Sequence, residues 1–251
     1  MFRFIVATVS LLLYLIISIP LLPMFLLWGK ISDKQALRRD YAALAFVRSA
    51  FSTISWISGA KVTVIGEENI PDGPVLFVGN HRSIFDIVLT YPRMKRLTGF
   101  VSKDSMERVP LFRTWMRLVK CLFLNRDDLK ESLKTIIKAI EQINQGISMV
   151  IFPEGTRNKG EEGSLLPFKE GAVRIATKAN CPIVPLSINN SAAVFENQLP
   201  RLKPASVVIE YGTPIYPNEL SKEEQKRLAG YVAEVIQNTI HKNDPLYIKN
   251  R

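Results

Sequence analysis

"VLFVGNHRSIFDIVLTY", Val75 to Tyr91, carries the local pattern from which the rest of the chain can be read. Val75–Val78 is a short apolar run suited to a strand. "GNHRS" breaks it, and Ser83 is placed to cap a helix over Ile84–Tyr91. A strand feeding a helix through a tight turn is the unit of an α/β sheet, and sites in such sheets open beyond the ends of the strands. His81 lies at that junction with Asp86 five residues on. On a continuous helix these two would diverge by about 140°. They can meet only if the chain bends before the helix starts. A carboxylate on one ring nitrogen would fix the tautomer and leave the other nitrogen as a base. Taken alone, the pair also fits a capped turn with no chemistry.

Working outward, short apolar strands alternate with helices. Strands are expected at Lys61–Ile65, Val75–Val78, Gly99–Ser102, Cys121–Asn125, Met149–Phe152, Ile183–Ser187 and Val207–Tyr211. Helices are expected at Asp33–Ser58, Ile84–Tyr91, Leu111–Val119, Leu129–Asn144, Ala172–Lys178 and Lys222–His241. The alternation predicts an α/β domain with a central mixed, largely parallel sheet flanked by helices. One boundary suggests itself, separating N-terminal helices over residues 1–59 from the main domain over 60–251.

The N-terminal part begins with Phe4–Trp28, which carries no formal charge and is long enough for a bilayer span of about 20 residues. No small-residue cleavage site follows, so the segment reads as a permanent membrane anchor. Pro20 and Pro23 each remove a backbone donor. A straight span and a shallow re-entrant insertion both remain open. Lys30, Lys34, Arg38 and Arg39 follow the segment and favour a cytoplasmic location for what comes after.

Composition narrows the partners. The chain has 251 residues, 47% of them hydrophobic and 22% charged, with a formal net charge of +10. That excludes a disordered polyampholyte and suggests an anionic partner. Two cysteines and two histidines make neither a disulfide framework nor a zinc set, so no metal is expected. Eight bases (Arg93, Lys95, Arg96, Lys103, Arg108, Arg113, Arg117, Lys120) fall between residues 93 and 120, interleaved with Leu111, Phe112, Trp115, Met116 and Leu118. Such a stretch suits an anionic membrane surface, or else a half-buried helix with a solvated basic face. Without an RNA-binding motif or zinc module, nucleic acid ranks last.

A second stretch, "FPEGTRN" from Phe152 to Asn158, follows an apolar run and opens into a loop at Pro153 and Gly155. Its backbone N–H groups, Thr156 and Arg157 are suited to a phosphate, since a planar guanidinium binds two oxygens at once. Glu154 could orient Arg157 or bind a substrate hydroxyl; a plain surface turn is the other reading. "CLFLNRD" ends a strand with Arg126, and Lys169 precedes another break.

Together these stretches resemble the membrane-bound glycerolipid acyltransferases, whose best-known members are the 1-acyl-glycerol-3-phosphate acyltransferases. Asn80, His81 and Asp86 match the family's N-H-x-x-x-x-D motif, and Phe152 to Arg157 match F-P-E-G-T-R without a gap. Lys103, Pro110 and Arg126 resemble a looser second motif, and Val184, Pro185 and Leu186 a fourth. Arg113 departs from the pattern, standing where the family often has glycine.

The resemblance implies that residues 60–251 form a catalytic domain transferring an acyl group from acyl-CoA or acyl-carrier protein to the sn-2 hydroxyl of 1-acyl-glycerol-3-phosphate, giving phosphatidic acid in phospholipid biosynthesis, or else to another lysolipid, with no cofactor. It implies His81 as general base, Asp86 as the group that orients it, and Lys103 or a nearby N–H as oxyanion donor. Asn80, Arg126, Glu154, Gly155, Thr156 and Arg157 are expected to bind the substrate. The enzyme is expected at the cell membrane with its catalytic domain on the cytoplasmic side. A thioesterase or lipase using Cys121 or a Ser nucleophile, and a non-catalytic, membrane-anchored lipid-binding protein, are the rival readings; no G-x-S-x-G elbow is present.

Overall fold

The computed structural model describes residues 1–248. Its elements run α1 (Phe2–Trp28), α2 (Asp33–Ser58), β1 (Lys61–Ile65), β2 (Leu76–Gly79), α3 (Phe85–Thr90), β3 (Thr98–Lys103), α4 (Pro110–Leu118), β4 (Leu122–Leu124) and α5 (Leu129–Asn144). They continue with β5 (Ser148–Ile151), α6 (Glu170–Ala179), β6 (Ile183–Asn189), β7 (Ser206–Tyr211), α7 (Lys222–Lys226) and α8 (Leu228–Ile248). The strands form one sheet in the order β1-β7-β6-β2-β5-β3-β4. Among these pairings only β6 with β7 is antiparallel, so the sheet is mixed and largely parallel.

Strand periodicity places apolar side chains on both faces. Leu76 and Val78 of β2 join Met149 and Ile151 of β5 in a core with residues of α5, α6 and α8. Phe77 and Val150 point the other way, into a core with Ala43 and Leu44 of α2, Val88 of α3 and Trp115 of α4. Parallel strands covered on both sides read as unbroken apolar runs, which is why "VLFV" and "SMVI" show no polar alternation.

The N-terminal helices pack as an antiparallel pair. Arg3 Nη1 donates to Ile57 O at 2.7 Å, Tyr14 Oη and Thr53 Oγ1 lie 3.1 Å apart, and Trp28 Nε1 donates to Gln35 Oε1 at 2.8 Å. Ser32 caps α2, and Gly59 ends it in the left-handed region at φ 75°. α1 runs unbroken through Pro20 and Pro23. Both of its ends touch the main body: Phe4 stacks on Phe195 at 5.8 Å and Phe25 contacts Trp115 at 5.4 Å. α1 is the described helix long and apolar enough to cross a membrane.

One expected helix changes and one open alternative is decided. Lys222–His241 is two helices, α7 and α8, interrupted at Arg227, and α8 continues past His241 through Pro245. α4 takes the half-buried option: Trp115 is 6% exposed and stacks on Phe46 of α2 at 4.5 Å, so it is core to the hairpin contact. Local acids also hold much of the basic stretch. Glu67 pairs with Arg93 and Lys95, Asp72 with Arg96, Glu107 with Arg117 and the buried Asp40 with Lys120. Lys103, Arg108 and Arg113 have no ion-pair partner among the described residues.

Candidate active site

Five strands run in one direction side by side, β6, β2, β5, β3 and β4, and their carboxyl ends share one edge. In that order the edge presents Ser191 and Glu196, His81, Phe152 to Arg157, Lys103, and Arg126. The sequence motifs, far apart along the chain, are therefore neighbours in space.

The bend demanded by the i,i+5 spacing is present. β2 stops at Gly79, α3 starts at Phe85, and His81 Nδ1 lies 2.7 Å from Asp86 Oδ2. That oxygen also accepts from the backbone N–H of Arg82 (2.7 Å) and Ser83 (2.9 Å), while Oδ1 accepts from Ser191 Oγ. An oxygen already accepting two amide protons behaves as an acceptor. Nδ1 therefore carries the hydrogen, and the Nε2 lone pair is left for chemistry. The imidazole stacks on Phe152, with ring centroids 4.3 Å apart and an interplanar angle of 13°, which fixes the second axis of its orientation.

Loop contacts hold this turn rigidly. Glu154 accepts from His81 N at 2.7 Å and from Leu166 N at 2.9 Å. Burial pushes its carboxyl above the ordinary range, while those two N–H bonds pull it down. Arg82, 7% exposed, donates to Glu161 O and Gly160 O, and Asn158 N donates to His81 O at 2.7 Å. The His81 loop and the Phe152–Glu162 loop are thus laced together through their backbones.

Two residues placed with the substrate have other duties. Asn80 is 1% exposed, and its amide both donates to and accepts from the Ile188 backbone at 2.8 Å, locking the loop onto β6. Glu154 accepts one backbone amide on each oxygen and makes no hydrogen bond to Arg157 among the described residues. Both sets of bonds position the His81 loop.

Thr156 and Arg157 are exposed at the edge, and Gly155 turns there at φ +74°. The Lys169 side chain lies 3.2 Å from where a Gly155 Cβ would be. Arg157 Nη1 donates to Glu196 Oε1 at 2.9 Å. Glu196 also accepts from Ile84 N at 2.8 Å and from Ser83 Oγ. Neither Ser191 nor Glu196 is apparent in the sequence; their partners lie 105 and 112 positions away.

Lys103 ends β3 with its side chain exposed, and Arg126 follows β4. Neither has a hydrogen bond to the His81–Asp86 pair among the described residues. Two strand spacings, about 10 Å, separate the ends of β2 and β3, a gap that a lysine side chain and a substrate can bridge together. Burial lowers the Arg126 guanidinium from its ordinary value against the fields of Asp104 and Asp127, which favour its charge. A groove of about 440 Å³ nearby is lined by Asp104, Arg108, Arg113 and Asn125 among others, so Arg113 faces a polar recess. Cys121 is buried and its thiol pushed up to about 11, which makes a thiolate nucleophile there costly. No group of three or more His, Cys, Asp or Glu side chains suited to a metal occurs among the described residues.

The fold and the edge define an α/β protein with an imidazole oriented by a carboxylate beside the Gly155–Arg157 loop. The chain belongs to the acyltransferase family: that family's model matches residues 61–189, the span from β1 to the end of β6. It is similar to the "Probable 1-acyl-sn-glycerol-3-phosphate acyltransferase" of Mycoplasma pneumoniae, 28% identical over 91% of this chain and 91% of that protein. It is also similar to the 1-acyl-sn-glycerol-3-phosphate acyltransferase of Borreliella burgdorferi, 29% identical over 77% of this chain and 78% of that protein. The crystal structure of the 1-acyl-sn-glycerophosphate acyltransferase of Thermotoga maritima matches with a TM-score of 0.72 and 25% identity, covering 96% of this chain and 98% of that one.

Proposed function

We propose that the protein moves a fatty acyl group from an acyl thioester to the sn-2 hydroxyl of 1-acyl-glycerol-3-phosphate, giving phosphatidic acid. The observation that carries this reading is the 2.7 Å contact between His81 Nδ1 and Asp86, just past the end of β2 and beside the Gly155–Arg157 loop that follows the neighbouring β5. His81 Nε2 takes the hydroxyl proton as the oxygen bonds to the thioester carbonyl carbon. Lys103 stabilises the resulting oxyanion, and Asp86 the imidazolium. The C–S bond then breaks, and the departing thiolate takes the proton back from His81. Gly155, Thr156 and Arg157, with Arg126, hold the acceptor phosphate. α1 keeps this edge at the membrane, where acceptor and product reside, with the catalytic domain on the cytoplasmic side. The donor is acyl-CoA or acyl-carrier protein.

The test incubates purified protein with each labelled thioester and a panel of lysolipids. Labelled phosphatidate is expected from wild type and none from His81→Ala, whose melting temperature should stay near wild type. Absence of phospholipid product from every pairing, or normal turnover by the variant, would overturn the assignment. Free fatty acid as the only product would point to a thioesterase.

A further inference from the structure

Arg157 is bonded to a carboxylate of the protein itself. Glu196 Oε1 lies 2.9 Å from Arg157 Nη1, in an ion pair whose Arg side chain is 50% exposed and whose Glu side chain is 18% exposed. Glu196 does not depend on Arg157 for its position. Ile84 N donates to it at 2.8 Å and Ser83 Oγ donates to its other oxygen, both from the loop that carries His81. Nε and Nη2 of Arg157 make no hydrogen bond among the described residues. An anion approaching Arg157 thus meets a guanidinium whose charge is already opposed by a fixed carboxylate.

We infer that Glu196 is an internal competitor for Arg157, a residue that sets the acceptor's affinity by opposing its phosphate. The inference rests on the proposed role of Arg157 as a phosphate-binding residue. Glu196 offers the guanidinium an anionic oxygen of the kind a phosphate would offer. It stays anchored on Ser83 and Ile84 when the guanidinium turns to a ligand, so the exchange leaves the His81 loop undisturbed. The same carboxylate is then in place to recover Arg157 as the phosphate of the product departs. Acceptor binding is weakened and product release is favoured by one contact, since both lipids carry the same phosphomonoester. The pair is half exposed, so its effect is modest, of the size of a surface ion pair.

The variant Glu196→Gln keeps an oxygen for Ile84 N and removes the charge. Its KM for 1-acyl-glycerol-3-phosphate, and the inhibition constant of inorganic phosphate competing with it, should both fall by about two- to fivefold. Mere damage to the site would not tighten binding. Arg157→Ala, alone and combined with Glu196→Gln, completes the cycle: in the Arg157→Ala background the Glu196 substitution should leave both constants unchanged. If Glu196→Gln does not fold, Glu196→Asp withdraws the carboxylate by one methylene and should move the constants in the same direction. Unchanged or raised constants in a folded Glu196 variant would overturn the inference while leaving Arg157 as the phosphate residue. An unchanged acceptor KM in Arg157→Ala alone would instead remove Arg157 from the phosphate site, and the competitor role with it.

Discussion

Asp86 receives hydrogen bonds from His81, Arg82, Ser83 and Ser191 and has no exposed surface. Ser191 alone among these donors comes from outside the loop, and it fixes the oxygen that His81 does not use. Removing it leaves a buried carboxylate oxygen without its partner, and hydrogen bonds to charged groups are worth about 1.5–3 kcal/mol. Ser191→Ala should therefore lower kcat by about ten- to a hundredfold with little change in acceptor KM, because Ser191 acts on the base through Asp86. In an Asp86→Ala background the same substitution should cost less than about twofold. Full additivity of the two losses would show that Ser191 acts by another route. At this scale the sequence is eloquent about residues that are close along the chain and silent about those that are not. His81 and Asp86 can be paired because five residues and a turn suffice to bring them together. Ser191 and Glu196 lie in "NSAAVFENQLP", a stretch of ordinary loop composition just past the end of the family match. Only the packing of β6 beside β2 brings them to the pair.

Glycines separate two kinds of element-level constraint. Gly155 sits at φ +74° with Lys169 over it, whereas Gly230 lies in α8 with open space where a Cβ would go. A side chain in the left-handed region costs about 1–2 kcal/mol, while alanine in a helix gains about 0.5–1 kcal/mol over glycine. Gly155→Ala should thus lower the unfolding free energy by about 1 kcal/mol and disturb the Thr156–Arg157 loop. Gly230→Ala should raise it by about half that or more and leave turnover alone. Denaturant titration of both variants is the check, and equal signs would contradict one of the two backbone assignments. Element types were readable wherever burial and periodicity agreed, as at β2, β5 and α5. They were less readable where neighbours decide. Trp115 and its flanking bases look like a membrane-facing helix until Phe25 and Phe46 cover the indole. The break at Arg227 has no Gly or Pro to announce it.

The whole molecule gives α1 its geometry. A helix of 27 residues is about 40 Å long, enough to span a bilayer, yet both ends rest on the same body through Phe4–Phe195 and Phe25–Trp115. A straight span would carry one of those ends to the far side of the membrane and break its contact. Keeping both contacts predicts α1 along one leaflet, with its outward Leu13 (52% exposed) and Ile17 (53%) towards the acyl chains. Substituting both by lysine should cut binding to phosphatidylglycerol-containing vesicles by at least about tenfold, since each charge opposes insertion into the apolar layer. Sedimentation with such vesicles measures it, and unchanged binding would mean that α1 is not the anchor. The leaflet geometry makes a separate demand. The native cysteines are buried, so single cysteines at Phe2 and Ile31, both exposed, can be labelled selectively. With protein bound from outside to sealed vesicles, a membrane-impermeant maleimide should reach both positions. Labelling of Ile31→Cys alone, with Phe2→Cys reacting only after detergent, would mean that α1 crosses the bilayer and that the Phe4–Phe195 contact gives way in the membrane.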